Sequence, residues 1–300
     1  MKLFIDTDMG DDIDDAMALA YVLAKGYDVV GVTTVYREPK SRVGAVRALL
    51  DAAGKTKVPV YAGYGEPIGK NTKIFGKLNY SVDGSSVNDD PHKAIEFMAE
   101  CADKYGNELV ILAIGAQTNL AHAVKEYPDK MGRLGKAVIM GGCFTIHQNE
   151  WNIAEDPTAA KIVAESVLPL VYVPWNVTKD ISLGAKNYDF ALNFYGDGIA
   201  GRLSDLIRIW SGLSECKYIP VLHDVCAAMC VADNDFCTME NVNFCVIDSG
   251  SACGITLNCG TMNLFAVDDF YKKQILLATS ADAEKIAAEF MSTVYNDKIA

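Results

Sequence analysis

Six carboxylates crowd into ten residues near the start of the chain, in the run Asp6-Thr7-Asp8-Met9-Gly10-Asp11-Asp12-Ile13-Asp14-Asp15. Carboxylates this close repel one another unless a cation or raised pKa values relieve them. An acid or two at a helix start contributes ~0.3–1 kcal/mol through the helix dipole, and that role does not call for six. Charge-dense donors made only of oxygen suit Ca²⁺ or Mg²⁺ rather than zinc. Two alternatives fit less well. An EF-hand loop starting at Asp6 needs Asp or Asn at its fifth position, where Gly10 stands. A phosphatase with an aspartyl nucleophile wants a Thr two residues after the second alternating Asp, and Gly10 stands there too.

The elements that must carry this loop are legible on either side of it. Residues 2–5 read as an apolar strand and residues 16–25 as a helix closed by Gly26. In open α/β sheets ligands bind beyond the carboxyl ends of strands, where such a loop falls. The alternation continues with strands over 29–35, 58–62, 109–114, 136–140 and 169–173. Helical patterns lie between them over 41–53, 93–105, 119–126 and 157–165. Asp156-Pro157 marks a helix start, since Asp caps the first amides and Pro is tolerated in the first turn. Strands alternating with helices predict an open, Rossmann-like α/β fold with a mostly parallel central sheet flanked by helices. Three close-spaced apolar runs over 242–247, 254–258 and 263–267 predict a smaller antiparallel extension near the C-terminus. No repeat or linker interrupts the pattern, so a single domain over 1–300 is expected.

Composition narrows the function classes. The chain has 27 Lys and Arg against 39 Asp and Glu, a net charge of −12. That balance argues against nucleic acid as a partner, because phosphate binding needs basic surface. No apolar run reaches the ~18 residues of a membrane span, and the opening MKLFID lacks the features of a signal peptide. The nine cysteines are odd in number and contain no C-x-x-C pair, which predicts free thiols in a reducing, cytoplasmic setting. Cys226 and Cys230, spaced i, i+4, are expected as small buried residues on one helix face.

The acidic run resembles the Asp-x-Asp-x-Gly-x-Asp-Asp signature that opens the nucleoside hydrolases of the inosine–uridine N-ribohydrolase type, with two additional residues after Gly10. The resemblance extends along nearly the whole chain. Gly31-Val32-Thr33-Thr34-Val35 and Val58-Pro59-Val60-Tyr61-Ala62-Gly63 are similar to the family's second and third strands. Ile114-Gly115-Ala116-Gln117-Thr118-Asn119-Leu120 is similar to its Gly-Pro-Leu-Thr-Asn-Leu turn. Met140-Gly141-Gly142, Glu150-Trp151-Asn152-Ile153 and His223-Asp224 follow in the same order.

This resemblance implies Ca²⁺-dependent hydrolysis of the N-glycosidic bond of a small-molecule nucleoside, releasing base and ribose, as in purine or pyrimidine salvage. A homodimer or homotetramer is implied as well. Asp8, Asp15, the backbone carbonyl of Thr118 and Asp224 would hold the ion, and Asp8 would act as general base towards the attacking water. Counting forward from Gly10 puts Asp12 first in the family's Asp-Asp pair, whereas counting back from Ala16 puts Asp14 there. Metal and ribose roles therefore stay open between them, with Asp12 assigned to the metal and Asp14 to the ribose. Glu150 and Asn152, at i and i+2, would face one side of an extended segment and grip the ribose hydroxyls, with Met140 lining the pocket. His223 would donate a proton to the leaving base near neutral pH. Trp151, Trp175, Trp210 and Tyr218 are candidates for stacking on the base, and His147 could face the pocket.

Departures from the family pattern fall on the sugar and base side. Glu38 takes the place of an Asn after the second strand, and the His-Gly-x-x-Gly-Leu region has only Ser81-Val82-Asp83-Gly84-Ser85 near it. Two other readings therefore stand beside the first. One is a metal-dependent hydrolase of another ribosyl or N-glycosyl compound; the other is a non-catalytic binding protein of the same fold.

Overall fold

The computed structural model describes residues 1–70, 72, 78, 80–82, 89–213, 218–232, 235–259 and 274–295. The chain begins as a strand–helix alternation: β1 (Lys2–Thr7), α1 (Asp14–Ala24), β2 (Asp28–Thr34), α2 (Pro39–Ala52) and β3 (Val60–Ala62). Next come α3 (Pro91–Tyr105), β4 (Leu109–Ala113), α4 (Thr118–Glu126), α5 (Pro128–Met131) and β5 (Lys136–Met140). The pair α6 (Trp151–Glu155) and α7 (Pro157–Glu165) precedes β6 (Leu170–Val173). Four helices follow without a strand: α8 (Trp175–Thr178), α9 (Ala185–Asn193), α10 (Gly198–Leu213) and α11 (His223–Met229). The last elements are β7 (Cys237–Ile247), β8 (Ile255–Asn258), β9 (Gln274–Ala281) and α12 (Ala283–Tyr295).

Among the described residues these strands form one sheet in the order β3-β2-β1-β4-β5-β6-β9-β7-β8. From β3 to β9 all neighbours are parallel, and β7 runs antiparallel to both β9 and β8. The chain builds outward from β1 to β3 and then resumes at β4 on the other side of β1. The crevice between β1 and β4 is therefore the switch point at which such sheets bind ligands.

Burial explains why the central strands are apolar throughout. Successive side chains of β1 point to opposite faces of the sheet. Leu3 and Ile5 join Met17, Tyr21 and Val225 under α1 and α11, while Phe4 joins Ile95, Leu120 and Val163 under α3, α4 and α7. A strand covered on both faces has no polar side to show. The helix start at Asp156 is present, with its carboxylate accepting from the Ala159 N–H at 3.0 Å.

The antiparallel extension is present but differs in detail. The run 242–247 is the end of an 11-residue strand, β7, and the expected strand over 263–267 lies outside the described residues. The sequence reading places no element after 267, yet β9 is what joins the extension to the parallel sheet. The expected strand over 58–62 contracts to Val60–Ala62. Eight described cysteines are free thiols, and Cys226 and Cys230 are buried. Both thiols contact Cys237 Sγ, at 3.6 and 3.7 Å. No helix among the described residues is long and apolar enough to cross a membrane.

Candidate active site

The acidic run leaves the carboxyl end of β1 and turns at Gly10. That turn requires glycine: φ is +125°, and a Cβ would lie 2.6 Å from Leu78 Cδ1 and 2.9 Å from the Tyr80 carbonyl oxygen. Asp14 and Asp15 open α1, and Asp224 follows His223 at the start of α11, which packs against α1. One oxygen from each of these three buried carboxylates lies within 4.8 Å of the other two. The Asp224 N–H donates to Asp14 Oδ2 at 3.4 Å, and Thr7 Oγ1 donates to Asp15 Oδ1. Burial pushes all three carboxyls well above the usual range, and repulsion from neighbouring carboxylates, Asp8 in every case, adds to it. Buried carboxylates held this close fit a hard cation, which would supply the missing positive charge.

Asp8, whose charge acts on all three carboxyls, belongs to a second group. Burial raises its carboxyl to about 7, with Arg42 pulling down and Asp11 pushing up. Gly115, in the turn after β4, lets Asp8 sit close. A Cβ there would stand 2.8 Å from Asp8 Oδ1 and 2.9 Å from its backbone nitrogen. The second group joins Asp8, Asp11 and Glu155, again with one oxygen of each within 4.8 Å of the others.

Under the loop lies a residue that sequence reasoning missed. Arg42, on α2 and 1% exposed, donates through Nη1 to the Asp8 carbonyl and to Asp11 Oδ1 at 3.0 Å. Its Nε donates to the Tyr36 carbonyl at 3.1 Å. Tyr36 and Arg37 have φ of +71° and +53°, a conformation costly for non-glycine residues. Their N–H groups are tied to the Tyr64 and Gly65 carbonyls at 2.9 and 2.7 Å. A signal for Arg42 was available: Ala45, Val46 and Leu49, at i+3, i+4 and i+7, are all buried on α2, which puts Arg42 on the core face. Asn119 braces the same corner. It donates to Asp6 Oδ1 at 2.8 Å and accepts from the Tyr64 N–H at 2.7 Å.

The other expected residues fall as follows. Asp12 is not one of the trio, although its charge raises Asp14 and Asp224; it accepts from the Tyr218 hydroxyl and the Ile13 N–H, each at 2.7 Å. Thr118 opens α4, and its hydroxyl donates to Asp156 Oδ2 at 2.8 Å. Glu150 and Asn152 do not lie in an extended segment, which corrects that premise. Glu150 is the N-cap of α6, and its carboxylate accepts from the Gly142, Asn152 and Ile153 N–H groups at 2.9–3.1 Å. Asn152 lies inside α6 and donates to the Ile114 and Met140 carbonyls, each at 3.2 Å. Met140 thus meets Asn152 at the end of β5. Glu38 is exposed and makes no side-chain cap for α2.

His223 receives a hydrogen-bond partner in Thr178, whose Oγ1 is 2.7 Å from Nδ1. Burial lowers its pKa to about 4, favouring the neutral ring. Among the aromatic candidates Trp210 is core, 1% exposed, and His147 is exposed. Trp151 stands at the surface beside Glu150, and Tyr218 reaches Asp12.

A mostly parallel sheet with an acidic crevice at its switch point defines an α/β protein with a candidate metal site. The sequence profile of the family described as "Inosine-uridine preferring nucleoside hydrolase" matches residues 3–288, and the chain belongs to that family. Uridine nucleosidase 1 of Arabidopsis thaliana is 31% identical, over 85% of this chain and 81% of the relative. A probable uridine nucleosidase 2 of the same plant is 34% identical over 63% of each, so the chain spans just under two thirds of that relative's length. Among solved structures, a plant nucleoside hydrolase superposes with a TM-score of 0.80 at 23% identity, covering 98% of this chain and 99% of the other. That likeness establishes the fold.

Proposed function

We propose that this protein hydrolyses the N-glycosidic bond of ribonucleosides, releasing the free base and ribose. The observation that carries the reading is the convergence of Asp14, Asp15 and Asp224 beside Asp8, at the sheet's switch point, in a chain of this family. We assign Ca²⁺ to Asp8, Asp14, Asp15 and Asp224 with the Thr118 carbonyl, because the donors are all hard oxygens. This gives Asp14 the ligand role that the sequence count left open between it and Asp12. Asp12 becomes a rim acid held by Tyr218.

When bound, the ion supplies a positioned water of lowered pKa. Asp8 would accept a proton from the attacking water, as a buried carboxyl raised to about 7 at the switch point. Asn152 and Met140 line the ribose side, with Glu150 capping the helix that carries Asn152; any hydroxyl contact of Glu150 uses lone pairs left by its three amide donors. Carboxylates around the ring favour the cationic, oxocarbenium-like transition state. Thr178 engages His223 at Nδ1, which leaves Nε2 for the departing base. The protein is taken as a single domain, cytoplasmic and a homodimer or homotetramer. Its free thiols support the reducing compartment, and sedimentation reads the assembly.

The test is a nucleoside panel with a reducing-sugar readout, run before and after chelation and with Ca²⁺ or Mg²⁺ restored. Uridine heads the panel because two relatives are named for it. Release that is lost on chelation and restored by Ca²⁺ supports the reading. No release from any nucleoside refutes it.

A further inference from the structure

Glu155 has no part in the chemistry above. It ends α6, is 0% exposed, and neither of its carboxylate oxygens has a hydrogen-bond partner among the described residues. Groups of this kind are normally satisfied, because an ionised carboxylate away from water is strongly disfavoured. Its neighbours make matters worse, as one oxygen lies within 4.8 Å of oxygens from both Asp8 and Asp11. Arg42 is the nearby cation, but its guanidinium is committed to Asp11 and to the Asp8 and Tyr36 carbonyls.

We propose that Glu155, Asp8 and Asp11 hold a second divalent cation, distinct from the ion assigned to Asp14, Asp15 and Asp224, with Asp8 serving both. Ca²⁺–oxygen bonds of about 2.4 Å separate ligand oxygens by roughly 3.4 Å when adjacent and 4.8 Å when opposite. Three oxygens all within 4.8 Å of one another can therefore share one ion. The charge balance points the same way. The two groups bring six carboxylates together, and Arg42 is the cation among them in the described residues. One divalent ion leaves three negative charges unanswered, and a second leaves one. The second ion would also tie the end of α6, the helix carrying Asn152, to the acidic loop, so it would hold the ribose side against the metal side.

The proposal rests on the first site only through Asp8, and its test separates the two. Metal-free protein is titrated calorimetrically with Ca²⁺ and, separately, with Mn²⁺, and circular dichroism confirms the fold of each variant. The expected stoichiometry is two ions per chain in the wild type. One ion is expected in Glu155→Gln and Asp11→Asn, and one in Asp224→Asn. A wild type that binds one ion, lost in Asp224→Asn and kept in Glu155→Gln, overturns the second site and leaves the first standing. Two ions retained in Glu155→Gln overturn the assignment to Glu155. No binding of either metal by the wild type overturns both sites.

Discussion

Replacing Arg42 by methionine removes the buried counter-charge of the acidic loop while roughly preserving side-chain length and packing. The guanidinium is 1% exposed and bridges Asp11 and the Asp8 and Tyr36 carbonyls. Its loss strands those acceptors next to carboxylates that already repel one another. Removing one partner of a buried pair costs about 3–5 kcal/mol. For a chain of 300 residues the unfolding entropy is ~0.6 kcal/mol/K, so the midpoint should fall by ~5–8 °C. Differential scanning calorimetry in the presence of a chelator reads this directly, without compensation from bound cation. Arg42→Lys should fall between the two, since an ammonium keeps the charge but cannot reach two carbonyls and a carboxylate as a planar fork does. A drop below ~2 °C for Arg42→Met would refute the idea that this guanidinium holds the loop.

Three further outcomes follow from the same geometry. Gly115→Ala should lower kcat/KM by about 10- to 100-fold with a smaller effect on melting, because its Cβ would press on Asp8 at 2.8 Å; unchanged turnover in a steady-state assay would contradict it. His223→Ala should slow natural nucleosides far more than substrates with an activated leaving group, and an equal loss on both would exclude a role at the leaving base. Asp156→Ala should lower stability by ~3 kcal/mol in urea unfolding. Its carboxylate takes the Thr118 hydroxyl and the Ile68, Gly69 and Ala159 N–H groups. A loss under ~1 kcal/mol would mean those donors find other partners.

The parts of the fold that sequence could reveal are those governed by local pattern. The apolar run of β1 followed by packed acids, the alternation of strands and helices, and the Asp156-Pro157 start all reflect neighbours along the chain. The parts it hid depend on contacts across it. Arg42 lies more than thirty positions from the loop it supports, and an arginine is ordinarily taken as solvated. Glu155 carries no local sign of its burial, because it meets Asp8 and Asp11 only where the end of α6 approaches the acidic loop. The Asp12–Asp14 ambiguity could not be broken by counting, since the approach of Asp14 to the Asp224 N–H depends on α11 packing against α1, far along the chain. The Glu150–Asn152 pair misled in another way: a spacing of two suggests an extended segment, whereas Glu150 caps a helix that begins one residue later. Trp210 shows the same limit, as an aromatic that could have stacked on a base is instead packed in the core.

The most direct measurement is reducing-sugar release by Asp8→Ala beside the wild type, with nucleoside and Ca²⁺ in excess and the fold of both followed by circular dichroism. Metal-assisted hydrolysis at the acidic crevice requires that the wild type release ribose and that the folded variant release none above background. Equal turnover by the two proteins would show that the bond is broken somewhere other than at Asp8.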